Sequence, residues 1–104
     1  MATIIRRKSD NVVTNFAQSA NFDAGHLTFI KIDGGEVIAP NKTPDTHEII
    51  DDVTLPTKYY GNMLTYDSGT WIILTDAVAE ENASRKAYRD RTGDTTFLDI
   101  EIEL

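Results

Sequence analysis

Three places in the chain hold residues with the means to do chemistry. Asp45, His47, Glu48, Asp51 and Asp52 set one imidazole among four carboxylates. On a helix, spacings of three and four residues gather such groups on one face, as a divalent metal or an acid–base pair would need. His26 is the only other histidine and no second ligand motif accompanies it, so an acidic surface turn is the simpler reading. In the second place, Asp67-Ser68-Gly69, a hydroxyl stands beside a carboxylate. A nucleophilic serine needs a strand–turn–helix setting and a base, whereas this trio joins two β-prone runs. The third place is aromatic. Tyr59, Tyr60, Tyr66 and Trp71 could stack on sugar rings as a glycan-binding module, although the core has first claim on the only tryptophan. Gly34-Gly35 lacks the lysine and helix of a phosphate loop. No catalytic, cofactor or metal site is expected, and the chain is read as not an enzyme.

The elements that would position these residues are mostly strands. Thr3–Lys8 and Val12–Ala17 read as a hairpin about Ser9-Asp10-Asn11, followed by a polar connector over Gln18–Gly25. His26–Ile32 and Glu36–Ala39 flank the turn Asp33-Gly34-Gly35. Pro40 and Pro44 interrupt regular structure, and Asp45–Glu48 fits a short, acid-capped helix start. Met63–Tyr66 and Thr70–Leu74 form a second hairpin across the three-residue connection Asp67-Ser68-Gly69. Its second strand is apolar on both faces and is expected to be covered on both, as the centre of the fold.

Asp76–Arg91 is the one convincing helix. Thr75 or Asp76 is positioned to cap it, acids precede bases along it, and Gly93 sits where a left-handed C-terminal residue belongs. Ala79, Ala83 and Ala87 recur every fourth residue as a thin apolar stripe suited to close packing on a sheet or on copies of the helix. Thr96–Glu103 shows the cleanest period-2 pattern in the sequence. Leu98, Ile100, Ile102 and Leu104 face one way, opposite Asp99, Glu101 and Glu103, predicting an amphipathic strand that pairs with its own sheet or with a neighbouring subunit. The expected class is therefore α+β and mostly β. One domain, residues 1–104, would combine antiparallel hairpins in a small sheet or sandwich, one helix and a final strand.

Bulk properties narrow the function further. Seventeen acidic against ten basic residues give a net charge of −7, which repels nucleic acid and anionic membranes. Bases gather at Arg6-Arg7-Lys8 and at Arg85, Lys86, Arg89 and Arg91, while Asp45–Asp52 and Asp94–Glu103 carry only acids. Opposed patches of this kind suit protein partners or self-association. Cysteine is absent, so disulfides and thiolate metal sites are excluded. No apolar run reaches membrane-spanning length. Arg6-Arg7-Lys8 are not followed by an apolar h-region, so no classical signal peptide is expected.

Several segments together resemble small bacteriophage proteins encoded near tail-fibre and other virion genes. A basic strand leads into a polar turn at Arg6-Arg7-Lys8-Ser9-Asp10-Asn11-Val12-Val13. Leu55-Pro56, Gly61 and Tyr66-Asp67-Ser68-Gly69-Thr70-Trp71 match a Leu-Pro, Gly, Tyr-Asp-x-Gly-x-Trp series, and a charged helix follows. The resemblance implies a non-catalytic structural or assembly protein, found in the virion or in the host cytoplasm during assembly. It would bind other virion proteins and itself through Leu98, Ile100, Ile102, Leu104 and the face Ala79, Ala83, Ala87. A tail-fibre assembly chaperone is the nearest alternative. The acidic strand at Phe97–Leu104 departs from that pattern and favours a stable virion component.

Overall fold

The computed structural model covers residues 1–104 and is mostly strand. Strands β1 (Ala2–Arg7), β2 (Val13–Asp23), β3 (His26–Lys31), β4 (Glu36–Ala39) and β5 (His47–Val53) form one antiparallel sheet in the order β4-β3-β2-β1-β5. Strands β6 (Leu64–Asp67) and β7 (Thr70–Ile73) make a separate hairpin, and α1 (Thr75–Thr92) follows it. The α+β, mostly β class is as the sequence predicts.

Local chemistry explains the turns. Asp10 accepts hydrogen bonds from the Arg7 guanidinium and the Val12 amide, and Asn11 takes φ 62°, closing the β1–β2 turn. Asp23 pairs directly with His26, leaving Ala24 and Gly25 at φ 53° and 83° as a two-residue loop. Asp67 likewise pairs with Thr70 across Ser68 and Gly69, at φ 50° and 88°. Both loops have positive φ at each central residue, the geometry that matches strand twist. The β6–β7 connection is thus two residues, not three.

Each face of the sheet carries its own core. Ile5, Ala17, Leu27 and Phe29 form one cluster, flanked by Phe22, Val37 and Ile49. Neither the helix nor the hairpin packs against this cluster. The sheet is curved: β2 and β5, on either side of β1, approach within 8 Å between Cα atoms. Two flat strand spacings would give about 9.6 Å. Ile4, Val13 and Val53 form the other cluster, roofed by Phe16, Ile50, Leu55, Tyr66 and Trp71. The hairpin is therefore a roof on the sheet rather than its centre.

Four further expectations are corrected. Gln18–Gly25 is no connector, because β2 runs through it to Asp23 and pairs with β3 past a bulge between Ala17 and Ser19. Asp45–Glu48 starts no helix. His47–Val53 is an edge strand on β1, carried by Ile49, Ile50 and Val53. The second strand of the hairpin is covered on one face only: Trp71 and Ile73 turn inward with Leu64 and Tyr66, while Ile72 stays 58% exposed. Thr96–Glu103 forms no strand. A single antiparallel bridge pairs Glu103 with Lys58, and the segment, after a turn at Thr95–Thr96 and a bend at Phe97, is otherwise an arm without a ladder.

Candidate protein-interaction site

The helix and the arm that follows it form a unit beside the sheet. Helix α1 starts after Leu74 with no side-chain cap, so neither Thr75 nor Asp76 serves as one. It ends as expected, with Gly93 at φ 74° donating its amide to the Arg89 carbonyl at 2.8 Å. Its half-buried residues are Ala77, Val78, Glu81, Asn82, Arg85 and Arg89, and none of its residues is fully buried. Ala79, Ala83 and Ala87 face outward instead. Polar side chains line the inner face because what they hold is the backbone of another segment.

That segment is Phe97–Leu104. The Asn82 amide acts on Ile100 as a neighbouring strand would: Nδ2 donates to the Ile100 carbonyl at 3.2 Å, and Oδ1 accepts from its amide at 2.8 Å. Arg85 Nη1 donates to the Leu98 carbonyl at 2.9 Å, and Arg89 Nη1 to the Phe97 carbonyl at 2.9 Å. At the far end Lys58 and Glu103 exchange both backbone hydrogen bonds, at 3.0 and 2.9 Å. Carboxylates fix the register: Arg89 binds Asp99 at 2.8 Å and Lys58 pairs with Glu101. The ammonium of Lys58 holds the Glu101 carboxyl below its ordinary range, and Glu101 raises Lys58 in return. Both groups are at the surface, so the pair sets position more than stability.

Arg85 ties this unit to the chain before the hairpin. Its guanidinium lies 4.5 Å from the Phe97 ring and 5.5 Å from that of Tyr60, and Nη2 donates to the Tyr60 hydroxyl at 3.0 Å. Nε is shut off from solvent without a hydrogen-bond partner, leaving the Glu81 carboxylate 3.5 Å away to balance it. The Tyr88 and Phe97 rings meet edge to face at 5.1 Å.

The four aliphatic residues of the arm do not share one fate. Ile100 is buried and Ile102 half-buried, while Leu98 is 67% and Leu104 59% exposed. Strict alternation fails because the arm is gripped from the side by α1 and does not lie flat on a sheet. The opposed charge patches are paired in part within the chain. Arg89 pairs with Asp99, Lys86 with Asp90, Lys58 with Glu101 and Arg6 with Glu48.

The aromatic residues divide. Tyr66, Trp71, Phe16 and Tyr59 run in a row, with ring centroids 4.7, 6.3 and 4.3 Å apart, as a half-buried roof over the second core. Trp71 Nε1 donates to the Thr54 carbonyl at 3.3 Å. Tyr60 stands apart with Arg85. Tyr59 and Tyr60 do share an open cleft of about 380 Å³ with Thr14, Asn15 and Lys31. The imidazole–carboxylate cluster is dispersed, since neighbours on a strand point to opposite faces. His47 is buried against Thr46, Glu48 binds Arg6 and Asp51 accepts from Thr3. No group of three or more His, Asp or Glu side chains is placed to hold a metal ion. No helix is long and apolar enough to cross a membrane.

Sequence reasoning missed Asn82, Arg85, Arg89 and Lys58 as the residues that seat the arm. The available signal was the recurrence of long polar side chains at helical spacing on α1, opposite the alanines. No family model matches the chain, and no curated protein or solved structure matches it either.

Proposed function

We propose that the chain is a non-catalytic structural or assembly part of a bacteriophage, working through protein contacts that include self-association. The bacteriophage setting comes from the sequence resemblance, and one observation carries the contact role: the α1–arm unit stands off the main sheet and presents Leu98 and Leu104 to solvent beside ordered backbone. Exposed aliphatic groups on a braced segment offer a partner both apolar area and a strand edge. The preference for a virion component over a tail-fibre assembly factor rests on an acidic strand at Phe97–Leu104 where the assembly pattern more often continues the helix; α1 does end at Thr92, but no strand follows. With an arm in its place, both stand within the proposal, and copy number in purified particles separates them.

Light scattering on the full-length protein over a range of concentrations tests the reading. An oligomer is expected, and it should dissociate in the Leu98→Asp, Leu104→Asp double variant, whose fold is untouched because both side chains are at the surface. A monomer at every concentration would overturn self-association. A glycan-binding role is the second reading, favoured by the cleft under Tyr59 and Tyr60. It predicts saturable glycan binding that is lost in Tyr59→Ala and kept in Trp71→Phe.

A further inference from the structure

The arm is held as a bound peptide is held. Every contact that orders its backbone comes from a side chain of α1 or from the single bridge to Lys58, and none comes from the five-stranded sheet. The receiving surface is cationic at Lys58, Arg85 and Arg89, and the segment it receives alternates aliphatic residues with Asp99, Glu101 and Glu103. The reversal that brings the arm back onto its own helix is short and locally closed. Gly93 is left-handed, and Asp94 Oδ1 accepts from the Thr96 amide at 2.9 Å and from its hydroxyl at 2.6 Å. The Asp94 amide also donates to Thr92 Oγ1 at 3.3 Å, and Thr95 and Thr96 are exposed, so the turn is held by contacts within its own few residues and the end of α1.

We infer that the groove formed by Lys58, Asn82, Arg85 and Arg89 is a receptor for an acidic–aliphatic segment, and that its occupant in the assembled protein is the Phe97–Leu104 arm of a second copy. Opening the Gly93–Thr96 turn frees the arm, and an identical groove on another copy restores each contact that was given up. Exchange of identical segments is a low-cost route to dimers for this reason. Complementary charge sets the register, with Asp99 to Arg89 and Glu101 to Lys58. The inference rests on the self-association proposed above and adds its mechanism: exchange joins two copies, and Leu98 and Leu104, still exposed on a seated arm, supply the apolar contact between them.

The bridge from Lys58 to Glu103 supplies the test. A pair exchanging both backbone hydrogen bonds has Cα atoms about 5.5 Å apart, within the range a disulfide spans, and the chain has no cysteine of its own. Full-length Lys58→Cys and Glu103→Cys single variants are unfolded together in equal amounts, refolded and oxidised. Neither can close on itself, so a heterodimer forms at this bridge only when the arm of one copy lies in the groove of another. Heterodimer is expected well above the two-to-one ratio that random pairing of equal pools yields. Adding Asn82→Ala to the Lys58→Cys chain should remove that excess. A random ratio, or no cross-link while the Lys58→Cys, Glu103→Cys double variant closes as a monomer, overturns arm exchange. If light scattering still shows an oligomer, the failure is confined to this mechanism; a monomer throughout takes the broader reading with it.

Discussion

Arg6 reaches from β1 in two directions. Nε and Nη2 bind Glu48 on β5, while Nη1 donates to the Tyr66 carbonyl on β6 at 2.7 Å, so one half-buried guanidinium joins the sheet edge to its roof. Hydrogen bonds to charged groups contribute about 1.5–3 kcal/mol. Arg6→Ala should therefore lower stability by about 2 kcal/mol and the melting temperature by about 10 °C. Arg6→Lys, which lacks the fork, should recover only part of this. His47 contributes a pH dependence of its own just below neutrality. Burial lowers its pKa first, and the Lys42 and Arg7 cations lower it further, against an opposing effect from Asp10. The unfolded chain binds a proton near pH ~6.5, which the native imidazole accepts only at lower pH. Stability should fall as the pH drops below that point and until the native value is passed, with no contribution from this group above it. Urea midpoints for the wild type and His47→Gln at pH 7.5 and 5.5 check this; the variant should lose less on acidification.

Gly61 decides how the hairpin seats on the sheet. A Cβ there would lie 2.8 Å from the Thr14 carbonyl oxygen, while the next residue, Asn62, donates its amide to Val13 at 2.9 Å. Gly61→Ala must push backbone from backbone, at about 1–3 kcal/mol. Because the lifted roof wets Trp71, a red shift in its emission should accompany the lower melting temperature. At this scale the sequence was legible wherever pattern and turn agreed: β1, β3, β4 and the β6–β7 hairpin each follow β-branched alternation into a Gly or Asn turn. It was misleading where a partner overrode propensity. Gln18–Asp23 has no β-branched residue, yet it is a strand because β3 pairs along it. Asp45 and Glu48 imitated a helix cap while Ile49, Ile50 and Val53 marked a strand. The arm fails in the opposite sense. Period-2 alternation states which side chains share a face, but a ladder also needs a free edge, and here Asn82, Arg85 and Arg89 took the backbone groups first. Those same residues hid the candidate site, since an amphipathic reading of α1 looks for an apolar stripe and its inner face is polar.

At the scale of the molecule, buried side chains are unevenly distributed. Thr3, Ile4, Ile5, Val12, Val13, Ala17, Leu27, Phe29, His47, Val53 and Leu64 belong to the sheet, its first turn and the hairpin, Pro56 lies in the connection between β5 and β6, and beyond Leu64 only Ile100 is buried. The shape agrees, with a radius of gyration of 14.9 Å and extents of 44 × 27 × 24 Å. A compact chain of this length has a radius of about 13 Å. Its surface of 6337 Å² likewise exceeds the about 5,800 Å² typical of this mass. Hydrogen bonds from exposed or half-exposed side chains, rather than apolar burial, hold α1 and the arm together. Segments of that kind open without global unfolding. Native-state hydrogen exchange should therefore place the amides of α1 and the arm at least about 2 kcal/mol below those of β1 and β2 in opening free energy. Asn82→Ala should lower the α1 and arm values further and leave β1 and β2 unchanged. Equal protection across both regions would mean that α1 and the sheet unfold as one unit, and the arm would then be too firmly held to serve as a segment that changes partners.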